Sequence, residues 1–572
     1  MTRRQIAKAM LLATTALSAC ASVVLQKRLP NIITIVLDDV GYSDIGCFGS
    51  EIRTPALDSL AADGLRYLHF DTKAVCAPTR ASMLTGRNSH SVNMPDVPDV
   101  AAFAPNDPVV AQMFRIPDNA ENVAQVLKRQ GYATWALGKW HLIPMHELDE
   151  SSDQSSWPCQ RGFDYFYGFA RGWTDQYRPE LVENNAYLSR EDFPEDYHLS
   201  SDLVDKAIEK IRANVEGGDA RPFYMNLAFG AAHAPIQVPR EYSAPYDSIY
   251  ARGWDEIREA RFERMKRDGV VPENTLLPPR APADRAWADL SEDEQVVFAR
   301  YMAVYAGFVA HCDHQIGRLL ETLETLGLRD DTLIVFLSDN GPASEAGQEG
   351  DFEHLYRPNT LSPAEQRARI DEIGTAATQA EYPRPWAYAG ATPLRRYKLW
   401  PHAGGARTPM IVSWPGKVSD PGAMRRQFVD VIDIAPTLLE AAGTQFAPVV
   451  AGVEQIPVAG RSILATFADP DAPARRTQYF EFRGNRAVTD GRWRALTVHP
   501  CGVAYEDDDW ELFDLEADFS EATNLAAANP GKLSEMKALW DSEWARYGTG
   551  PLSNNALICA TRPYFDLPAS AP

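Results

Sequence analysis

The chain predicts an α/β fold: a large, mainly parallel or mixed sheet sandwiched by helices, followed by a smaller C-terminal α+β domain with an antiparallel sheet. Three observations lead there. Continuous β-branched apolar runs recur up to about residue 450, as in strands buried on both faces. Stretches with helical spacing alternate with them, the mark of a sheet covered on both sides. Beyond that point the runs shorten and turn residues separate them, which is the pattern of hairpins.

Asn31–Leu37 (NIITIVL) is the first strand, and it ends in Asp38-Asp39-Val40-Gly41. Ala133–Leu137, Phe223–Phe229, Leu333–Leu337 and Pro409–Val412 are further strands of this kind. Thr54–Gly64 reads as a helix, opened by Thr-Pro and stopped by glycine. Asn119–Gly131, Asp202–Val215 and the long stretch Val296–Leu326 read as helices too. Residues 235–300, rich in Pro, Arg, Glu and Tyr, read as a partly helical insertion over the site, and 343–390 as a second long excursion. Gln478–Phe482, Arg486–Thr489, Trp493–His499 and Glu511–Asp514 are the C-terminal strands, and Pro530–Tyr547 a closing helix. The domain expectation is a leader over 1–20, a catalytic α/β domain over 31–450 and a C-terminal subdomain over 451–572.

The chain has 572 residues, 45% hydrophobic and 23% charged, which excludes a mainly disordered, collagen-like or polytopic membrane protein. Its formal charge of −22 argues against nucleic acid as the partner. A small anionic substrate is not excluded, because it feels the field of a cleft and not the net charge. At the N-terminus, Arg3, Arg4 and Lys8 precede the apolar run Ala9–Leu17, and Leu17-Ser18-Ala19-Cys20 follows. This is an export signal, too short to span a bilayer. The last four residues resemble a bacterial lipobox with Cys20 lipidated; ordinary cleavage to a soluble secreted protein is the alternative. A periplasmic or membrane-anchored bacterial protein is expected, touching membrane only through that lipid. The seven cysteines match no zinc or disulfide framework, though Cys501 and Cys559 could pair.

Two strands end in acids, at Asp38-Asp39 and at Ser338-Asp339-Asn340-Gly341. Either alone reads as turn chemistry. Brought together by parallel strands, three carboxylates and an amide make a hard oxygen site, suited to Ca²⁺ or Mg²⁺. Cys76 lies in a polar segment at a helix start with Arg80 one turn on, where an oxyanion ester is welcome. His311, Cys312 and His314 resemble a metal cluster on paper, but they offer too few ligands on one helix face.

Cys76-Ala77-Pro78-Thr79-Arg80 followed by Leu84-Thr85-Gly86 resembles the signature of the type I sulfatases, in the alkaline phosphatase superfamily. Asp38–Tyr42, Leu137-Gly138-Lys139-Trp140-His141, Ala232-His233-Ala234-Pro235, Ser338–Gly341 and Lys398–Gly405 resemble the family's other motifs in order. Trp510–Leu515 with Asn524-Leu525 resembles its C-terminal ending, and the Trp386–His402 region is most similar to bacterial arylsulfatases. The resemblance implies an alkaline phosphatase-like fold and a sulfuric ester hydrolase. It implies that Cys76 is oxidised to formylglycine by a formylglycine-generating enzyme, and that the aldehyde hydrate attacks sulfur and later expels sulfate.

It further implies that Asp38, Asp39, Asp339 and Asn340, with position 76, hold one divalent cation, calcium by the resemblance, while the ligands alone would allow calcium or magnesium. Arg80 and Lys139 would stabilise the nucleophile, and His141 would take its proton. Lys398 and His233 would bind sulfate oxygens, one of them protonating the leaving oxygen. His402 is a candidate lining residue of the substrate pocket. Ala403 stands where the family usually has Glu, which puts the support of Lys398 in question. A phosphonate monoester or phosphodiester hydrolase of the same superfamily is the close alternative. A lipoprotein that binds sulfated glycans without cleaving them is the non-enzymatic one.

Overall fold

The structure is a computed structural model that describes residues 29–103, 113–189, 193–194, 196–217, 221–355, 359–475, 477–500, 502–550 and 552. The leader with Cys20 and the candidate pair Cys501–Cys559 lie outside the described residues.

A ten-stranded sheet forms the core. Its strands in chain order are β1 (Asn31–Leu37), β2 (Leu65–Asp71), β3 (Ala133–Lys139), β4 (Tyr165–Phe169), β5 (Val182–Glu183), β6 (Ala186–Tyr187), β7 (Phe223–Ala228), β8 (Thr332–Ser338), β9 (Met410–Ser413) and β10 (Met424–Asp430). Across the sheet they run β10-β2-β9-β8-β1-β7-β3-β4-β5-β6. The central five, β8 to β4 in that order, pair in parallel, while β9, β5 and β6 enter antiparallel. β1 is buried at every residue, as its unbroken apolar sequence requires of a strand covered on both faces. Ile33, Ile35 and Leu37 pack into one layer and Ile32 and Val36 into the other, so alternate residues supply the two cores.

In this sheet β2, β4, β5, β6 and β10 have no counterpart among the sequence candidates, β5 and β6 being only two residues long. β2 (LRYLHFD) and β10 (MRRQFVD) mix charged and apolar residues because they lie at the end of the sheet, where β10 is the edge. β4 is aromatic and glycine-rich rather than β-branched.

The helices form where caps and periodicity place them. Pro55–Ala62 starts at its proline. Glu292–Thr325 starts four residues before the apolar pattern does, because Ser291 and Glu294 close a capping box. Residues 235–300 are more helical than their composition suggests, with Gly253–Arg267 the main element. That segment and the 343–390 excursion meet through Trp254, Trp287 and Trp386, whose ring centroids lie 4.7–5.7 Å apart. Buried Arg261 reaches from the same helix to Asp44 and Glu51 and pins the loop after β1.

After the short hairpin β11 (Val449–Val450) and β12 (Val453–Glu454), a four-stranded antiparallel sheet follows. It consists of β13 (Gln478–Phe482), β14 (Asn485–Thr489), β15 (Trp493–Thr497) and β16 (Trp510–Asp514), and Pro530–Tyr547 packs on it through Met536 and Trp540.

Topology decides where a site can form. β1, β7, β3 and β8 are parallel and in register at their ends: Leu37 pairs with Ser338, and Ala228 with both Val36 and Gly138. Their carboxyl ends therefore open on one edge, where sites of α/β sheets lie. β2 runs the same way and delivers Cys76 there, while antiparallel β9 brings its preceding loop, with Lys398, to that edge.

Gly138 is in the left-handed region (φ +92°), and a Cβ on it would sit 1.8 Å from the Ala228 carbonyl oxygen. Gly138→Ala is expected to cost about 3 kcal/mol or more. Denaturant unfolding checks this, and wild-type stability would contradict the tight β3–β7 approach.

Candidate active site

Asp38, Asp39 and Asp339 leave β1 and β8 at adjacent strand ends, each offering an oxygen within 4.8 Å of the others. All three are buried, together with Asn340. Their backbone is held by cross-links. Asp38 N–H donates to Ala231 O, Ala232 N–H donates back to Asp38 O, and Val40 N–H donates to Ser338 Oγ.

Three cations face the three clustered aspartates, and one of them also meets Glu345. Lys139 Nζ lies 2.6 Å from Asp38, and the Arg80 guanidinium holds Asp339 at 2.6 and 2.9 Å. Lys398 Nζ is 3.0 Å from Asp39 and 2.8 Å from Glu345. Burial and the neighbouring Asp339 still raise Asp38 well above the ordinary carboxylate range. Burial raises Asp39 as well, but Lys398, His233 and Lys139 outweigh it and bring it to about 2.

Asp38 Oδ1 and Asn340 Oδ1 are buried without a hydrogen-bond partner. Orphaned buried oxygens of this kind call for an occupant. The donor set is all oxygen, three carboxylates and one amide, so the residues fit a hard divalent cation; zinc would ask for His or Cys.

Cys76 begins the helix Cys76–Thr85, every residue of which is buried. Its Sγ lies 3.2 Å from His141 Nδ1, and His141 Nε2 lies 2.6 Å from the Asp99 carboxylate. Burial would raise the Cys76 thiol, but Lys139 and His141 bring it down to about 7. Burial would lower His141, but Cys76 and Asp99 push it up to about 9. Position 76 is therefore set up to carry negative charge. His233 Nδ1 donates to the Ala234 carbonyl, leaving Nε2 3.6 Å from Asp39; burial pulls this imidazole down to about 3, so it is neutral.

Several of these positions carry backbone strain. Asp39, Ala74, His141 and Leu399 all have positive φ without being glycine. Each such residue costs roughly 1–3 kcal/mol and persists only where its surroundings over-determine it. Leu399 N–H donates to Ala74 O, stitching the Lys398 loop to the Cys76 segment.

The structure thus brings together Asp38, Asp39, Cys76, Arg80, Lys139, His141, His233, Asp339, Asn340 and Lys398. His402 is turned elsewhere: it is buried, its Nε2 faces Glu511 of β16 at 3.4 Å, and burial lowers it to about 3. It ties the Lys398 loop to the C-terminal sheet. At Ala403, whose side chain has no carboxylate, Glu521 supplies one from the C-terminal part by accepting from Ala403 N–H at 3.0 Å. Lys398 draws its support from Glu345. The His311–Cys312–His314 group divides among separate partners: Ser201 and Gln315, Ser200, and Tyr242. Asp99, Glu345 and Glu521 escaped sequence reading, because acids in loops carry no periodic signal.

A model described as Sulfatase matches residues 30–444, and one described as N-sulphoglucosamine sulphohydrolase, C-terminal, matches 397–541. The chain belongs to the sulfatase family and is a sulfatase enzyme, a hydrolase of sulfate esters. It is similar to an arylsulfatase of Klebsiella aerogenes, 30% identical over 493 residues and covering 83% of this chain and 99% of that one. Among solved structures it resembles Ps i-CgsB in complex with k-i-k-neocarrahexaose (22% identity, TM-score 0.62, 94% and 98% of the two chains). It also resembles the phosphonate monoester hydrolase of Agrobacterium radiobacter (17% identity, TM-score 0.54, 91% and 96%).

If the orphaned oxygens hold a cation, calcium at 100 times its Kd should stabilise the protein by about 2.7 kcal/mol, and Asp339→Ala should abolish the gain. Binding should weaken as pH falls, because protons compete for Asp38. Unfolding curves with and without calcium and chelator read both effects; curves indifferent to calcium and magnesium would contradict the cation site.

Proposed function

We propose that this sulfatase works through a formylglycine derived from Cys76 and one divalent cation, calcium by family resemblance, on sulfate monoesters of aryl or small alkyl alcohols. The observation that carries the reading is the placement of position 76. It lies beside His141, within a shell of Lys139, Arg80 and Lys398, against an oxygen cluster that asks for a metal. The aldehyde would supply, as its hydrate, an oxygen nucleophile, and the cation would supply positive charge to the sulfate oxygens.

The chain's own groups do the rest. Arg80 and Lys139 hold Asp339 and Asp38 in place and favour negative charge at position 76. His141 Nδ1 lies 3.2 Å from that position; with formylglycine there, the thiol charge that helps hold the ring protonated is gone, and the neutral ring receives the proton. Lys398 and His233 face the ester beside Asp39; Lys398 binds a sulfate oxygen and returns a proton to the leaving oxygen, because the one N–H of neutral His233 is spent on the Ala234 carbonyl. Fixed cations aimed at developing negative charge are the largest source of rate in such a site. His402, facing Glu511, has a supporting role and does not touch substrate.

Export and a lipid at Cys20 belong to the same proposal, as does maturation by a formylglycine-generating enzyme. The likeness to a phosphonate monoester hydrolase favours one second reading, with phosphonate monoesters or phosphodiesters as substrates. Turnover of a nitrophenyl sulfate against the matching phosphodiester separates the two. Sulfate is expected to be turned over faster, and a ratio the other way would overturn the preference. Cys76→Ala is expected to lose at least a factor of about 10³, and Lys398→Ala about 10²–10³. Retention of activity in Cys76→Ala would overturn the nucleophile.

A further inference from the structure

We propose that Asp99 is a positioning residue of this centre: its carboxylate engages the Nε2 proton of His141 and so keeps Nδ1 as the atom that serves position 76. The inference rests on the reading of position 76 as the reaction centre.

The geometry is over-determined. Asp99 lies in the short turn Pro98–Phe103, with its side chain half-exposed, and its Oδ2 is 2.6 Å from His141 Nε2. On the far side of the ring, Nδ1 is 3.2 Å from Cys76 Sγ. His141 N–H donates to Ala170 O at 3.1 Å, and its φ is +56°. A Cβ on Gly172 would lie 2.8–2.9 Å from Cε1 and Nε2, so a bare glycine backbone covers the ring edge. Both ring nitrogens thus have a partner and one ring edge lies against backbone.

A carboxylate only accepts hydrogen bonds, and a neutral imidazole has one N–H. Facing Asp99, that hydrogen is on Nε2, and the lone pair on Nδ1 faces position 76. When a proton leaves the oxygen at position 76 for Nδ1, the ring becomes an imidazolium and the adjacent carboxylate stabilises its charge. Loss of that proton to water restores the neutral ring, and Asp99 stays ionised throughout. This is the orienting role of the acid in a Ser-His-Asp triad, applied to a different nucleophile. The competing role is a strut: Asp99 could do no more than tie its turn to the core.

Two measurements separate the roles. In full-length protein carrying Cys76→Ser, which cannot be matured, nitrogen NMR of labelled histidine reads the His141 tautomer at a pH where the ring is neutral. The Nε2–H form is expected with Asp99, and a shift toward Nδ1–H in Asp99→Asn. An unchanged tautomer in Asp99→Asn, or Nδ1–H with Asp99 present, overturns the proposal, whatever the enzyme turns over. In the matured enzyme, Asp99→Asn is expected to lower kcat at least tenfold with KM little changed, and Asp99→Glu to recover part of it. In a His141→Ala background Asp99→Asn should cost nothing further; an equal loss there would mean that Asp99 acts independently of His141. Should Asp99→Asn fail to fold, the tautomer in Asp99→Glu decides: Nε2–H supports positioning and Nδ1–H overturns it.

Discussion

Carboxylates buried at the ends of two parallel strands are the constraint on which the rest of this structure depends. An ion taken out of water costs several kcal/mol unless it is compensated. Here Asp38, Asp39 and Asp339 are all buried at one sheet edge. Each must find a partner, and the partners come from distant parts of the chain: Lys139 from the end of β3, Arg80 from the helix after β2, and Lys398 from the loop before β9. The cluster is therefore the point on which separate loops converge. Lys139, Arg80 and Lys398 face Asp38, Asp339, Asp39 and Glu345, so three positive side chains meet four carboxyl groups. A divalent cation held there would add positive charge where a bound sulfate ester brings negative charge.

The same constraint explains the strained backbone. Asp39 and His141 take positive φ where a strand must turn at once to present a side chain to the cluster. The cost is met by the bonds that lock the turns, such as the paired bonds between Asp38 and the Ala231–Ala232 segment. Precision follows from this locking, since catalytic groups mounted on a rigid parallel sheet hold their spacing. The C-terminal sheet takes part too. Glu521 and Glu511 reach the Lys398 loop, so the second sheet braces the site from behind.

Much of this was legible because burial on both faces leaves a continuous apolar trace, as in Asn31–Leu37 and the strands like it. The clustered acids Asp38, Asp39 and Asp339 were legible because they follow two such strands directly. Edge strands such as Met424–Asp430 were not, since their exposed positions break the apolar run. Leu65–Asp71, which carries Cys76 to the site, was hidden because Arg66 and His69 interrupt its apolar run although none of its residues is exposed. His402 looked like a lining residue because it neighbours Lys398 in sequence, yet its side chain leaves on the other side of the loop. Glu521 stands 118 residues from the alanine it serves, and no local pattern announces such a pairing. Asp99 and Glu345 are single acids in irregular loops, legible only once the fold has placed them beside His141 and Lys398.

The central claim is that position 76 is the reaction centre and that its cysteine is a precursor. Mass spectrometry of residue 76 in protein purified from its native host tests this most directly, because trypsin releases the short peptide Ala74–Arg80. An aldehyde or its hydrate at position 76 is the result this account predicts. An unmodified thiol there, in protein that hydrolyses sulfate esters, would contradict it.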